Sequence, residues 1–327
     1  MKTKYDVCDA SRVFLWVVLL PQILAFVTVL IFSIYLTKTE LENSVVYLIC
    51  CALVYQIAFL IIFLSYNKRN KIKGFDAICI KTKPNVKNVL LIVLISIIAF
   101  SGFVNFIALT ERAFFAWGFV EDGLSLPLNT PIWLIANIIL SCIIPAIMEE
   151  TIFRGIIFNG LKRRGFWFAC IISSVCFTII HFSLFSLIYP MVMGVVFCLI
   201  VQKTGSIVYS MIAHFCNNLI VTVINYINNV NGTNFGVVNV STPLGGAIVA
   251  IVAILTFIII FFIISKFITP SKTQNKNQEV VIASGEEQKG ESIKDSSLEL
   301  PKENKYLTLS VAVGIIMWIL IFILSRV

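Results

Sequence analysis

Nine apolar runs divide this sequence, each near the length a helix needs to cross hydrocarbon, and they leave the chain few folds to choose from. A spanning helix takes about 20 apolar residues, because a rise of about 1.5 Å per residue must cover about 30 Å. The runs fall near 13–36, 44–66, 88–109, 132–160, 166–186, 188–202, 206–228, 244–268 and 306–325. The fourth is overlong and the sixth short, so eight or nine spans are expected. The predicted fold is all-α, a polytopic transmembrane helical bundle. Charged residues make up only 13% of the chain, against about 25% in soluble domains.

The net charge of +8 could mark a nucleic-acid binder, but its distribution says otherwise. Lys68, Arg69, Lys71, Lys73, Lys81, Lys83 and Lys87 crowd one loop, Lys162, Arg163 and Arg164 a turn, and Lys203 the next turn on that side. The alternate loops hold "ERAFFAWGFVEDG" and the uncharged "NYINNVNGTNFGVVN". Basic loops stay cytoplasmic, so the N-terminus is expected inside the cell membrane and, with nine spans, the C-terminus outside. The first run is too long for a cleaved signal and reads as a retained span. Nine cysteines include no CxxC pair, and seven lie inside apolar runs, where a thiol behaves as a small hydrophobe.

Within the spans a few ionisable groups stand out: Glu149, Glu150, Arg154, His181 and His214, with Asn217 and Asn218 beside the last. Each charge at mid-membrane costs about 2.5–3.5 kcal/mol on insertion scales, so a group of them points to a buried polar site. Glu150 and Arg154 stand four apart and share a helix face, acid before base, which makes them a scaffolding pair. Glu149 is turned about 100° away and lacks that partner, so it is the better candidate for acting on water. Gly165 lies midway between Glu149 and His181, about 24 Å of helix from each, so a hairpin there would bring the two level. His214 sits only about 14 Å past the Gly205 turn, a mismatch in depth that tilt would remove. His214 and Asn218 are again four apart on one face.

"EETIFR" (149–154), "FTIIH" (177–181) and "HFCNN" (214–218) resemble the motifs EExxxR, FxxxH and HxxxN of the CPBP intramembrane protease family. That family includes the type II CAAX prenyl endopeptidases and bacteriocin-processing or self-immunity membrane proteins. The resemblance covers roughly 130–230. It implies an intramembrane endopeptidase in which Glu149 and His181 activate water while His214 and Asn218 stabilise the oxyanion, with Glu150, Arg154 and Phe177 in support. Peptide hydrolysis needs both parts: an activated water, and donors where negative charge develops. No HExxH is present. One carboxylate with two histidines (Glu149, His181, His214) could hold Zn²⁺ or position a water directly, and metal-free activation is the reading favoured here.

The bland readings stand beside this one. The charged trio could be a structural ion-pair cluster, either histidine an interhelical hydrogen-bonding residue, and Phe177 simple packing. Asn217 could take the role given to Asn218, since both face His214. The alternative function is a non-catalytic scaffold or bacteriocin self-immunity protein that binds through the same polar cavity. The expected partners are the lipid bilayer and a membrane-associated peptide or protein substrate. The expected organisation is N-terminal spans over 1–130, a protease-like core over 131–230, a further span within 231–269, a disordered cytoplasmic linker over 270–305 and a last span within 306–327.

Overall fold

Capping residues start the long helices where the apolar runs begin. The structure, a computed structural model of the chain, describes residues 5–72, 84–117, 126–183, 187–238, 240, 242–270 and 304–324. Helix α1 (Val7–Ser33) opens with a reciprocal box in which Asp6 Oδ1 accepts from the Asp9 amide at 2.7 Å and Asp9 Oδ2 accepts from the Asp6 amide at 3.4 Å. A short α2 (Lys38–Asn43) leads to α3 (Val45–Arg69), capped by Ser44. Asn85 caps α4 (Val86–Ala116), and Thr130 followed by Pro131 begins α5 (Pro131–Arg164). Then come α6 (Phe166–Ile179), α7 (Ile188–Thr204), α8 (Ile207–Asn231), α9 (Pro243–Phe267) and α10 (Asn304–Leu324). Among the described residues every regular element is helical, and the chain is a polytopic helical membrane protein.

Six helices, α1, α3, α4, α5, α8 and α9, are long and apolar enough to cross a membrane; α6, α7 and the stretch Tyr306–Met317 are shorter apolar helices. Each expected run coincides with a helix, but the fifth stops early. Helix α6 ends at Ile179, where the His181 and Phe182 amides bond back three residues to Thr178 and Ile179, and Phe182 takes φ 45°. This tightening closes the helix, so His181 lies just past a helix end and not inside the membrane helix that its apolar surroundings predicted. The expected linker, 270–305, lies outside the described residues over 271–303, while Asn304 and Lys305 already belong to α10.

Packing divides the apolar interior in two. One cluster joins α1 and α3 to the second half of α5 and to α6, with Phe14, Phe59, Phe153 and Phe158 buried in it; the other joins α4, α7, α8 and α9 around Ile92, Phe197 and Ile260. Helices α5, α6, α7 and α8 meet between them. Outward faces stay greasy: on α9, Ile254 is 61% exposed while Ile260 is fully buried. In water a surface of this kind would aggregate; in hydrocarbon it is the resting state. The basic turns rest on Gly165 (φ 103°) and Gly205 (φ 71°), positions where a residue with a Cβ would be strained.

Candidate active site

Helix α5 carries the two glutamates between two irregular segments. Its backbone widens into π turns at Ile138–Ile143 and Thr151–Phe158, on either side of a regular stretch ending at Glu150. Such turns bond i to i+5 and cluster at functional sites. Pro145 contributes, because it has no N–H to give the Ser141 carbonyl four residues before it. That carbonyl instead receives the side-chain amide of Asn218, from α8, at 3.2 Å.

Glu150 and Arg154 are fully buried and paired, Nη1 to Oε1 at 2.7 Å. Arg154 Nη2 also donates to the Gly194 carbonyl on α7 at 3.2 Å. Its guanidinium carbon lies 4.4 Å from the ring centre of Phe177 and 5.1 Å from that of Phe197. A guanidinium with two acceptors and two neighbouring aromatic rings has the charge-assisted bonds and cation–π contacts that make a buried charge tolerable. Gly194 permits the approach: a Cβ there would stand 2.8 Å from the Cβ of Ser174 on α6.

The histidines meet this scaffold differently. His214 is 4% exposed and places Nδ1 at 3.2 Å from Glu150 Oε1, while its Nε2 is 4.0 Å from Glu149 Oε2. Phe197 stacks on its ring at 5.2 Å, and Phe177 meets it edge-on at 5.7 Å. His181 is exposed. Its Nδ1 is 2.8 Å from the Phe177 carbonyl, one of the carbonyls left free at the end of α6. A carbonyl only accepts, so Nδ1 carries the proton and Nε2 keeps a lone pair. Phe177 lies edge-on to His181 at 4.9 Å, which makes its ring the common neighbour of both histidines and Arg154.

These groups border a cavity of about 330 Å³ whose wall includes Ser141, His181, Tyr189, His214, Asn217 and Asn218. Glu149 is not part of that wall; it approaches through His214 and is near enough to His181 to act on it electrostatically. Tyr189 Oη donates to Asn217 Oδ1, and Asn217 Nδ2 lies 3.4 Å from Asn218 Oδ1. A chain of donors therefore runs from α7 through both asparagines to the Ser141 carbonyl. Sequence reasoning weighed Asn217 but missed Tyr189, Phe197 and Gly194, which lie on a helix that none of the motifs touches. Glu111 of α4 also lines the cavity, although its sequence context assigned it to an outer loop.

Glu149, His181 and His214 do not fit a metal centre as they stand. Among the described residues no group of three or more His, Cys, Asp or Glu is disposed to hold a metal ion.

Comparison with known proteins bears on this same stretch. Residues 131–220 match the family described as type II CAAX prenyl endopeptidase Rce1-like. A Bacillus subtilis (strain 168) protein, "Putative membrane peptidase YdiL", is 40% identical over 87 residues, 26% of this chain and 36% of that protein. The matched stretch thus spans about a third of the length of that relative. No solved structure matches. Residues 131–220 enclose all three motifs, and at the level of family this segment is similar to a membrane protease.

Proposed function

We propose that the chain is an intramembrane endopeptidase that hydrolyses membrane-associated peptides or proteins, with its N-terminus and basic turns on the cytoplasmic face of the cell membrane. One observation carries the reading. Two elements far apart in sequence bring His181, His214 and Asn218 to one cavity wall, and a third sets Glu149 4.0 Å from His214, inside the protease-like segment.

In this reading a water in the cavity gives its proton to the lone pair on His181 Nε2, assisted by the carboxylate of Glu149, as its oxygen attacks the scissile carbonyl carbon. The carbonyl π electrons move to oxygen. The Asn218 amide has a second N–H beyond the one given to Ser141, and it donates to that oxyanion together with the His214 ring. His214 can serve as a donor on Nε2 because Glu150 and Glu149 face its two nitrogens. Collapse of the intermediate breaks the C–N bond, and the proton taken from water passes to the leaving amine. Glu150 and Arg154 hold the ring in place and touch no substrate.

The test is a quenched-fluorescence peptide library presented to the full chain in proteoliposomes, wild type beside Glu149→Gln and His181→Ala. General acid–base groups contribute about 10²–10⁴-fold, so each variant should lose that much turnover. Equal cleavage by all three proteins would remove Glu149 and His181 from the chemistry, and no cleavage by the wild type would favour the non-catalytic binding role.

A further inference from the structure

Beyond the cavity a polar face continues along α8. His214, Asn218, Thr222, Asn225 and Asn229 recur at helical spacing, 15 residues from first to last, or about 22 Å. Their far end lines a second cavity of about 730 Å³, and Thr222 borders both spaces. This second cavity lies toward the end of α8 opposite the basic Lys203 turn.

Five of its six asparagines, Asn43 aside, divide into two groups. Asn228 and Asn137 build the wall. Asn228 Oδ1 accepts from the Phe235 amide at 2.7 Å and from Thr233 Oγ1 at 3.0 Å, which pins the segment after α8. Asn137 Nδ2 donates to the carbonyls of Pro127 and Trp133, both at 2.9 Å. Asn225, Asn229 and Asn234 make no side-chain hydrogen bond among the described residues, yet all three line the space. Each offers one acceptor and two donors.

Among the described residues the lining includes no ionisable side chain and no aromatic ring. A phosphate or carboxylate would find no cation there, and a sugar no ring to stack on. An extended peptide presents alternating N–H and C=O groups at about 3.3 Å per residue, so about seven residues would cover the stripe. On the reading of this chain as a protease, we propose that the Asn225–Asn229 face is a docking track for an uncharged, extended segment of the substrate, which enters from the end of α8 remote from the basic turns and leads its scissile bond to His214.

The experiment uses the full chain in detergent and a fluorescein-labelled Ser/Ala/Val dodecapeptide, followed by anisotropy, with a tetrapeptide of the same composition alongside. Asn225→Leu/Asn229→Leu should weaken the dodecapeptide at least tenfold and leave the tetrapeptide unchanged. An unchanged dodecapeptide Kd overturns the track, as does equal displacement by an N-acetylglucosamine trimer. In case the variant misfolds, a dodecapeptide with benzoylphenylalanine at every third position is irradiated on the wild type. Crosslinks within 222–234 support the track, and their absence from that stretch overturns it. Because binding is read without turnover, loss of docking in a chain that cleaves nothing condemns the protease reading alone. Normal cleavage with an unchanged KM in the double variant condemns the track alone.

Discussion

His214 Nδ1 lies 3.2 Å from Glu150 Oε1, the same oxygen that takes Arg154 Nη1 at 2.7 Å. One carboxylate oxygen thus fixes a cation on its own helix and a histidine on α8. On the mechanism proposed above, the second acid of the pair is a positioning residue, while Glu149, 4.0 Å from the outer nitrogen of the same ring, assists His181. Glu150→Gln keeps an acceptor for either partner but removes the charge that satisfies both. A misplacement of about 1 Å can cost on the order of 10²-fold, so kcat should fall by about that factor. KM for a long peptide should hardly move, since no substrate touches Glu150. A KM change with kcat preserved, in steady-state kinetics on the reconstituted chain, would remove Glu150 from this role.

Arg154 should be irreplaceable by lysine. Its guanidinium uses two nitrogens in two directions and lies over the rings of both Phe177 and Phe197. An ammonium is a point charge that can reproduce neither the fork nor the stacking. Removing one member of a buried pair costs about 3–5 kcal/mol because the other is left uncompensated. Arg154→Ala and Arg154→Lys should both unfold at markedly lower temperature than wild type in the same detergent. The double change Glu150→Leu/Arg154→Met should recover much of that loss while staying inactive, as neither charge then lacks a partner.

How far this site could be read in advance depended on the distance along the chain. The Glu150–Arg154 pair was legible because both residues sit four apart on one helix, where spacing alone decides who meets whom. The His214 contact to Glu150 spans 64 residues, and no periodicity reports it; the carboxylate expected to serve only Arg154 holds two partners. The depth estimate for Glu149 assumed a regular helix, whereas α5 carries a π turn between it and Gly165. The nine apolar runs were easy to find, since lipid demands length and little else. The end of α6 was not, because His181 follows it amid apolar residues that read as more helix. Phe177 read as packing; its ring does pack, and in doing so touches both histidines and the arginine.

Metal removal addresses the chemistry directly. Among the described residues Glu149, His181 and His214 do not gather as a ligand set. Prolonged chelator dialysis should therefore leave peptide turnover unchanged, with the residual metal measured by mass spectrometry on the same sample. Activity that falls in step with metal content and returns with added Zn²⁺ would establish the metal route instead.

Gly194 offers the sharpest test of the packing behind the site. A methyl group placed there would meet Ser174 Cβ at 2.8 Å, Oγ at 2.9 Å and Cα at 3.1 Å. Backbone is involved, so α7 must move away from α6. That shift would carry the Gly194 carbonyl from Arg154 Nη2, now at 3.2 Å, and Phe197 from the face of His214. Overpacking of this kind costs about 1–3 kcal/mol. Gly194→Ala should lower both the unfolding temperature and turnover. Ser174→Gly removes the nearest atoms from the other side, at the cost of a helical glycine, about 1 kcal/mol. The double variant should therefore regain turnover ahead of stability. If Ser174→Gly leaves the turnover of Gly194→Ala uncorrected, the α6–α7 contact is not what holds Arg154 and His214 in place.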